Sequence, residues 1–141
     1  MIPAGLSLAD TSAIARIRQP AIAAELRRLG RLGLLATCVT IDLEVLYSAR
    51  DPDEYLIVGD LRRAGFVDLP LHPDIGRRAR DVQAMMARRG MHRAAGAFDL
   101  LTAAIAEHHG ATVVHYDRDF DHIASVTGQE TRWVVPPGSA D

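Results

Sequence analysis

The chain has 141 residues, of which 48% are hydrophobic and 24% charged, and this composition predicts one soluble globular domain. The net charge of −2 excludes a strongly basic nucleic-acid binder, and the absence of lysine excludes Schiff-base and P-loop lysine chemistry. One cysteine excludes an internal disulfide, and with neither a signal-peptide pattern nor an apolar run of about 20 residues we expect a cytoplasmic protein without a membrane span.

The first half of the chain alternates short apolar runs with segments of helical spacing. The apolar runs predict strands over residues 5–9 and 32–37. Helix-start residues and apolar spacing predict helices that begin at Thr11, Pro20, Thr40 and Glu54. The glycines at positions 30 and 33 end the second of these helices.

The second half repeats this alternation. Apolar runs predict further strands over 66–71, 111–116 and 132–135, and Pro70 places the first of them near an edge of the sheet. A long helix is predicted over 73–89, an amphipathic helix over 98–109 that ends at Gly110, and a short helix before the last strand. The polar tail, 136–141, is predicted to be disordered.

Alternating strands and helices predict an α/β fold, a three-layer sandwich whose central, mostly parallel sheet is flanked by helices. The absence of a repeat or linker predicts a single domain over residues 1–135. In parallel sheets of this kind, ligands bind beyond the carboxyl ends of the strands. Chemistry-bearing residues are therefore to be sought where the predicted strands end.

Acidic residues occur at those ends. Asp10 follows the first strand, and Asp117 and Asp119 follow the fourth, while Asp99 and Glu44 interrupt apolar helical segments. Each one alone also suits a structural role, since Asp10 could cap a helix and the positive end of its own helix could stabilise the charge of Asp99. Several carboxylates that converge without a counter-charge would repel one another strongly. A hard divalent cation, Mg²⁺ or Mn²⁺, resolves this repulsion and suits hydrolysis of a phosphodiester.

Other chemistries fit the sequence less well. Aspartate-based phosphoryl transfer needs an Asp-x-Asp pair after the first strand and a lysine, and the same lack of lysine argues against a receiver domain. The spacing of His115 and His122 completes no tetrahedral zinc site, and the pair His108–His109 suits the end of its helix instead.

Three segments carry a resemblance to a known family: LADTSA near the N-terminus, TIDLE, and FDLLTAAIAEHHGATVVHYDRDFDHIA. Together they resemble the PIN-domain ribonucleases, and more specifically the VapC toxins of bacterial VapBC toxin–antitoxin modules. The resemblance covers essentially the whole chain. It implies a toxin that acts as a Mg²⁺- or Mn²⁺-dependent endoribonuclease on tRNA or rRNA, forms a homodimer and is silenced by a VapB-type antitoxin.

The resemblance also implies roles for single residues. The catalytic acids would be Asp10, Glu44, Asp99 and Asp117; the metal ligands would be Asp10, Asp99, Asp117 and Asp119; the supporting hydroxyls would be Ser12 and Thr11. Because the net charge is negative, local arginines must attract RNA, and Arg93 and Arg118 are nearest in sequence to the acids. The alternative is a degenerate PIN domain that binds RNA or protein without catalysis, and it predicts the loss of at least one acid.

Overall fold

The computed structural model describes residues 2–141. Its strands are β1 (Ser7–Ala9), β2 (Leu35–Thr37), β3 (Val67–Asp68), β4 (Thr112–His115) and β5 (Thr131–Trp133). Its helices are α1 (Thr11–Ile14), α2 (Pro20–Arg31), α3 (Val39–Tyr47), α4 (Pro52–Gly65), α5 (Pro73–Arg88), α6 (Ala97–His109) and α7 (Asp119–Thr127). Among these helices, none combines the length and apolarity that a bilayer crossing needs.

The sheet has the strand order β3-β2-β1-β4-β5, and every neighbouring pair is parallel. β1 lies at the centre, where Ser7 pairs with Leu35 of β2 and with Thr112 of β4. β3 is an edge strand, as Pro70 predicted. The predicted α/β fold is confirmed, and the sheet is parallel throughout.

Side chains that alternate along the strands face two separate cores, which makes three layers. Leu8 and Val113 point into a core shared with α3, α5, α6 and α7, whereas Ala9 and Val114 point into a core shared with α1 and α2. Gly110 ends α6 with φ 68°, a left-handed conformation that glycine adopts without strain. These two cores fix the carboxyl ends of β1 and β4 side by side.

The tail at 136–141, predicted to be disordered, packs against the body of the molecule in this structure. Ala140 is buried, and its carbonyl accepts hydrogen bonds from Arg16 Nε at 3.1 Å and Gln19 Nε2 at 2.9 Å. Its amide donates to the Tyr116 hydroxyl at 2.9 Å. These partners lie far away in sequence, so no local sequence pattern predicts that the tail packs here.

Candidate active site

The pairing of β1 with β4 brings two acidic loops to one edge of the sheet. Asp10 follows β1 directly, and its amide donates to the carbonyl of Val114 in β4 at 2.9 Å. Asp117 and Asp119 lie just beyond the end of β4. The predicted convergence of these loops is thus present in the fold.

Three of the predicted ligands form a compact group. Asp99, Asp117 and Asp119 each offer a carboxylate oxygen, and these oxygens all lie within 4.8 Å of one another. Asp99 is placed there by the first turn of α6, while Asp119 begins α7. Among residues 2–141, no arginine pairs with any of the three. The group therefore has the oxygen ligands and the uncompensated charge that suit a hard divalent cation.

The pKa values in this group report the crowding of negative charge. Burial, the charge of Asp10 and a hydrogen bond with Asp119 raise the pKa of Asp99 to about 8. Burial and the charge of Asp117 also raise the pKa of Asp119. The carboxyl of Asp99 therefore holds its proton more tightly than an isolated aspartate does, and a cation bound among these oxygens would relieve the same repulsion.

Asp10 lies outside the group of three but close enough to influence it. It is buried and caps α1, and its Oδ2 accepts hydrogen bonds from the Ser12 amide at 3.0 Å and the Ser12 hydroxyl at 2.6 Å. Burial raises the pKa of Asp10, the charge of Asp117 adds to this rise, and the bonds from Ser12 oppose it. The Ser12 hydroxyl also accepts from the Tyr116 amide at 2.9 Å, and so joins the ends of β1 and β4.

Glu44 approaches Asp10 from α3. Its Oε1 accepts a hydrogen bond from the Thr11 hydroxyl at 3.0 Å. Burial raises the pKa of Glu44, the nearby charge of Asp10 adds to the rise, and the Thr11 bond opposes it. Both predicted supporting hydroxyls therefore hold an acid, Ser12 holding Asp10 and Thr11 holding Glu44.

His115 supports the acidic loop from beneath, a role that sequence reasoning missed. Its ring is fully buried beside Phe120 and Trp133, and Nδ1 accepts a hydrogen bond from the Asp117 amide at 3.1 Å. Burial lowers the pKa of His115, so the ring is neutral. Within residues 2–141 its Nε2 has no partner. The position at the end of an apolar strand was the available signal, since a polar side chain there must bond to the adjacent loop.

A polar cleft of about 510 Å³ opens next to Asp117 and contains two arginines. Arg118 is exposed there and forms no ion pair in the described part of the chain. Arg16 also lines this cleft; its Nη1 donates to the Ser12 carbonyl at 2.9 Å, and its guanidinium lies 4.5 Å from the centre of the Tyr116 ring. Sequence reasoning missed Arg16, although it follows Ser12 by one helical turn. Arg93, in the link between α5 and α6, is exposed and does not line this cleft.

Comparison with known proteins agrees with this architecture. The PIN domain family matches residues 8–126. Ribonuclease VapC21 of Mycobacterium tuberculosis is 41% identical over 133 residues, which cover 94% of this chain and 96% of that protein. Ribonuclease VapC51 of the same organism is 41% identical over 136 residues, which cover 95% and 96%.

The same fold occurs in a solved structure. The structure of VapBC-1 from nontypeable Haemophilus influenzae matches with a TM-score of 0.76 and 16% identity, covering 92% of this chain and 98% of that one. At this identity the likeness establishes the fold alone, whereas the two mycobacterial relatives establish the family. The chain belongs to the VapC ribonucleases, the toxins of toxin–antitoxin modules that are built on a PIN domain.

Proposed function

We propose that the chain is a Mg²⁺- or Mn²⁺-dependent endoribonuclease that hydrolyses phosphodiester bonds in tRNA or rRNA. The observation that carries this proposal is the group of three carboxylates, Asp99, Asp117 and Asp119, whose oxygens lie within 4.8 Å and have no arginine as counter-charge among residues 2–141. A cluster of this kind is costly to maintain unless a cation neutralises it. Oxygen ligands favour Mg²⁺ or Mn²⁺ over softer metals.

Asp99, Asp117 and Asp119 would hold the cation, with the buried carboxylate of Asp10 completing the negative environment. When bound, the cation supplies charge neutralisation at the phosphate and a lowered pKa for water. The helix start at Asp99 and the loop hydrogen bonds at Asp117 fix these side chains on rigid elements. The ligands are thereby in place before substrate arrives.

We assign Glu44 the role of receiving the proton of the attacking water. It lies outside the group of three and is partly open to solvent, so water can reach it. Its raised pKa brings it closer to the working pH, which favours proton transfer. Thr11 holds the carboxylate in one orientation through the 3.0 Å hydrogen bond.

Arginines at the edge of the site would hold the RNA backbone. Arg118, exposed beside Asp117, and Arg93, in the link that precedes Asp99, have no acidic partner in the described part of the chain. We add Arg16, which lines the same cleft as Arg118 and would contribute its charge, since two of its nitrogens already donate to the carbonyls of Ser12 and Ala140. Guanidinium groups bind phosphate in a bidentate manner, and here they would offset the repulsion between the acids and a polyanion.

The partners that we propose are a VapB-type antitoxin and a second copy of the chain. The Haemophilus structure is that of VapBC-1, and a structure of the same fold from Mycobacterium tuberculosis, VapBC-5, is a member of the VapBC family of toxin–antitoxin systems. An apolar groove of about 950 Å³ runs between α2 and α4 in this chain and is lined by Ile17, Leu26, Val58 and Leu61, among others. An apolar groove of that size suits an amphipathic segment of a partner.

A degenerate PIN domain that binds without cutting is the alternative. It predicts at least one lost acid, whereas all of the acids are present and interact within one site. Catalysis is therefore the better-supported function.

The test is cleavage of purified tRNA and rRNA by the purified chain. We expect cleavage with Mg²⁺ or Mn²⁺, none in EDTA, and recovery when the metal is restored. Asp99→Asn is expected to lower cleavage by at least about 100-fold, because it removes a charged ligand. Asp53→Asn, which alters an exposed acid on α4, is the matched control and is expected to cut like the wild type. Cleavage that persists in excess EDTA would contradict the proposal.

A further inference from the structure

A pocket of about 470 Å³ adjoins the acidic site on the side of α3. It is lined by Thr11, Leu43, Glu44, Tyr47 and Phe98. Two of these residues, Thr11 and Glu44, belong to the site through their mutual hydrogen bond. The other three are apolar or aromatic and exposed, so the pocket joins a charged centre to an apolar wall.

The chain has seven aromatic residues, and two of the three that are exposed line this pocket. Tyr47 is 91% exposed and Phe98 is 41% exposed, whereas Phe120 and Tyr116 are buried. Both exposed rings are attached to the elements that carry the acids. Tyr47 lies one turn after Glu44 on α3, and Phe98 directly precedes Asp99 on α6. The two helices therefore fix the backbone positions from which both rings extend relative to the acids.

A nucleobase is the occupant whose chemistry fits this pocket. The phosphate must lie at the acids and their cation, so the base on the neighbouring sugar would lie beside the acids. A flat, uncharged surface next to the acids suits such a base. Tyr47, Leu43 and Phe98 provide that surface, and the Glu44 carboxylate at its rim can accept a hydrogen bond from an exocyclic amine. Bases stack on aromatic side chains regardless of their identity.

We propose that Tyr47 and Phe98 form a stacking platform for an unpaired nucleobase next to the scissile phosphate. This inference rests on the proposed ribonuclease function and specifies its substrate: a single-stranded segment or loop, because a base inside a duplex cannot leave its stack to reach the platform. Paired RNA would be cut only where a base can be turned out.

The exposed apolar residues Leu56, Ile57 and Leu61 form a different surface, on α4. That surface carries no acid of the site, and we assign it to protein association. The platform differs because Thr11 and Glu44 are part of it. A protein that covered the platform would also cover Glu44, so RNA can use this pocket only while it is open.

The experiment measures binding of a short single-stranded RNA that carries 2-aminopurine, whose fluorescence is quenched by stacking. Binding is measured with Mg²⁺ in the Asp99→Asn background, so that the RNA stays intact. Tyr47→Ala and Phe98→Leu are expected to weaken binding by about tenfold each and to remove quenching. Tyr47→Phe, which keeps a ring, is expected to bind and quench normally. Tyr55→Ala removes an exposed ring outside the pocket and is the matched control.

Unchanged affinity and quenching in both Tyr47→Ala and Phe98→Leu would overturn the platform. A change in molar mass by light scattering without a change in RNA affinity would also overturn it, because the pocket would then be a protein interface. The proposed ribonuclease function fails separately, if the wild-type chain does not cut RNA when Mg²⁺ is present. The quenching assay needs no cleavage and so decides on the platform in either case.

Discussion

The carboxyl of Asp99 makes the stability of the metal-free protein depend on pH. Its pKa is raised to about 8 in the folded state by burial and by Asp10, above the ordinary value of 3.8. The folded chain therefore binds this proton more tightly than the unfolded chain does. The stability that Asp99 contributes is complete below its ordinary pKa and is lost as the pH rises through the folded value.

We expect the melting temperature in EDTA to fall as the pH rises from about 4 to about 8 and to level off above that value. Burial lowers the pKa of His115 in the folded state, so this group makes the stability rise with pH below its ordinary value of 6.5. The fall caused by Asp99 is therefore measured most clearly above pH 6.5. Asp99→Asn is expected to flatten this profile and to raise the melting temperature at the upper pH, while Asp53→Asn leaves the fall in place. Thermal unfolding followed by circular dichroism measures the melting temperature of each variant at each pH. An equally steep fall in Asp99→Asn would mean that a different group causes the pH dependence.

The exposed arginines are expected to set how strongly RNA binding depends on salt. Arg118→Ala and Arg93→Ala should each weaken binding, and each lost phosphate contact should reduce the slope of log affinity against log salt by about one unit or less. Arg28→Ala, whose guanidinium pairs with Glu25 on α2, is the matched control. Fluorescence anisotropy over a salt series gives the slopes.

If both slopes stay at the wild-type value, the backbone track lies elsewhere, and the face of α5 that carries Arg77 and Arg80 is the next candidate. Metal affinity should be unchanged in every case, because none of these arginines is a ligand.

At the scale of elements, a buried arginine ties α4 to the sheet. Arg62 is 6% exposed; its Nη2 donates to the Thr37 hydroxyl at 2.7 Å and its Nε to Asp42 Oδ1 at 2.9 Å. Its guanidinium also sits 4.5 Å from the centre of the Phe66 ring. Removing one partner of a buried pair leaves the other charge without compensation.

Arg62→Met is expected to lower the free energy of unfolding by about 2 kcal/mol, since Asp42 is partly exposed and regains some hydration. Urea denaturation measures this loss. Arg63→Met removes a neighbouring arginine whose partner, Asp60, is on the surface, and its effect should be within about 0.5 kcal/mol. A loss of the same size in both variants would mean that the helix, and not the buried pair, is responsible.

The sequence predicted the order of elements well because each has a local signal. Apolar runs indicated the strands, and caps such as Pro20 and Gly110 marked the helix ends. The short strand β3, two residues long, was correctly placed at an edge from Pro70. Strand lengths were overestimated, since an apolar run continues beyond the residues that pair.

Features that depend on long-range contacts had no such signal. The carboxylates could be predicted to converge, because the ends of parallel strands meet, but their arrangement could not: Asp10 stands apart from the three that cluster. The packed tail depends on Arg16 and Gln19, more than 100 residues earlier in the chain. The support that His115 gives to the acidic loop likewise becomes visible only once the fold brings Phe120 and Trp133 around it.

At the scale of the whole molecule, the exposed side of α4 predicts self-association. Leu56, Ile57 and Leu61 are each at least 60% exposed on this one helix. We expect a homodimer at micromolar concentration by light scattering, and Ile57→Glu is expected to shift the molar mass towards the monomer. Leu71→Glu alters a leucine with the same exposure beyond β3 and is the control. A wild-type chain that is monomeric throughout would contradict this assignment.

The central position of β1 has a consequence for when the chain can fold during its synthesis. Ala9 pairs with Val114, so the middle of the sheet cannot close until most of the chain has left the ribosome. The acids are distributed in the same way, with Asp10 made early and Asp117 and Asp119 made late. A nascent or prematurely released chain therefore lacks the complete set of acids that we propose as the active site, and that site can form only after synthesis is nearly complete.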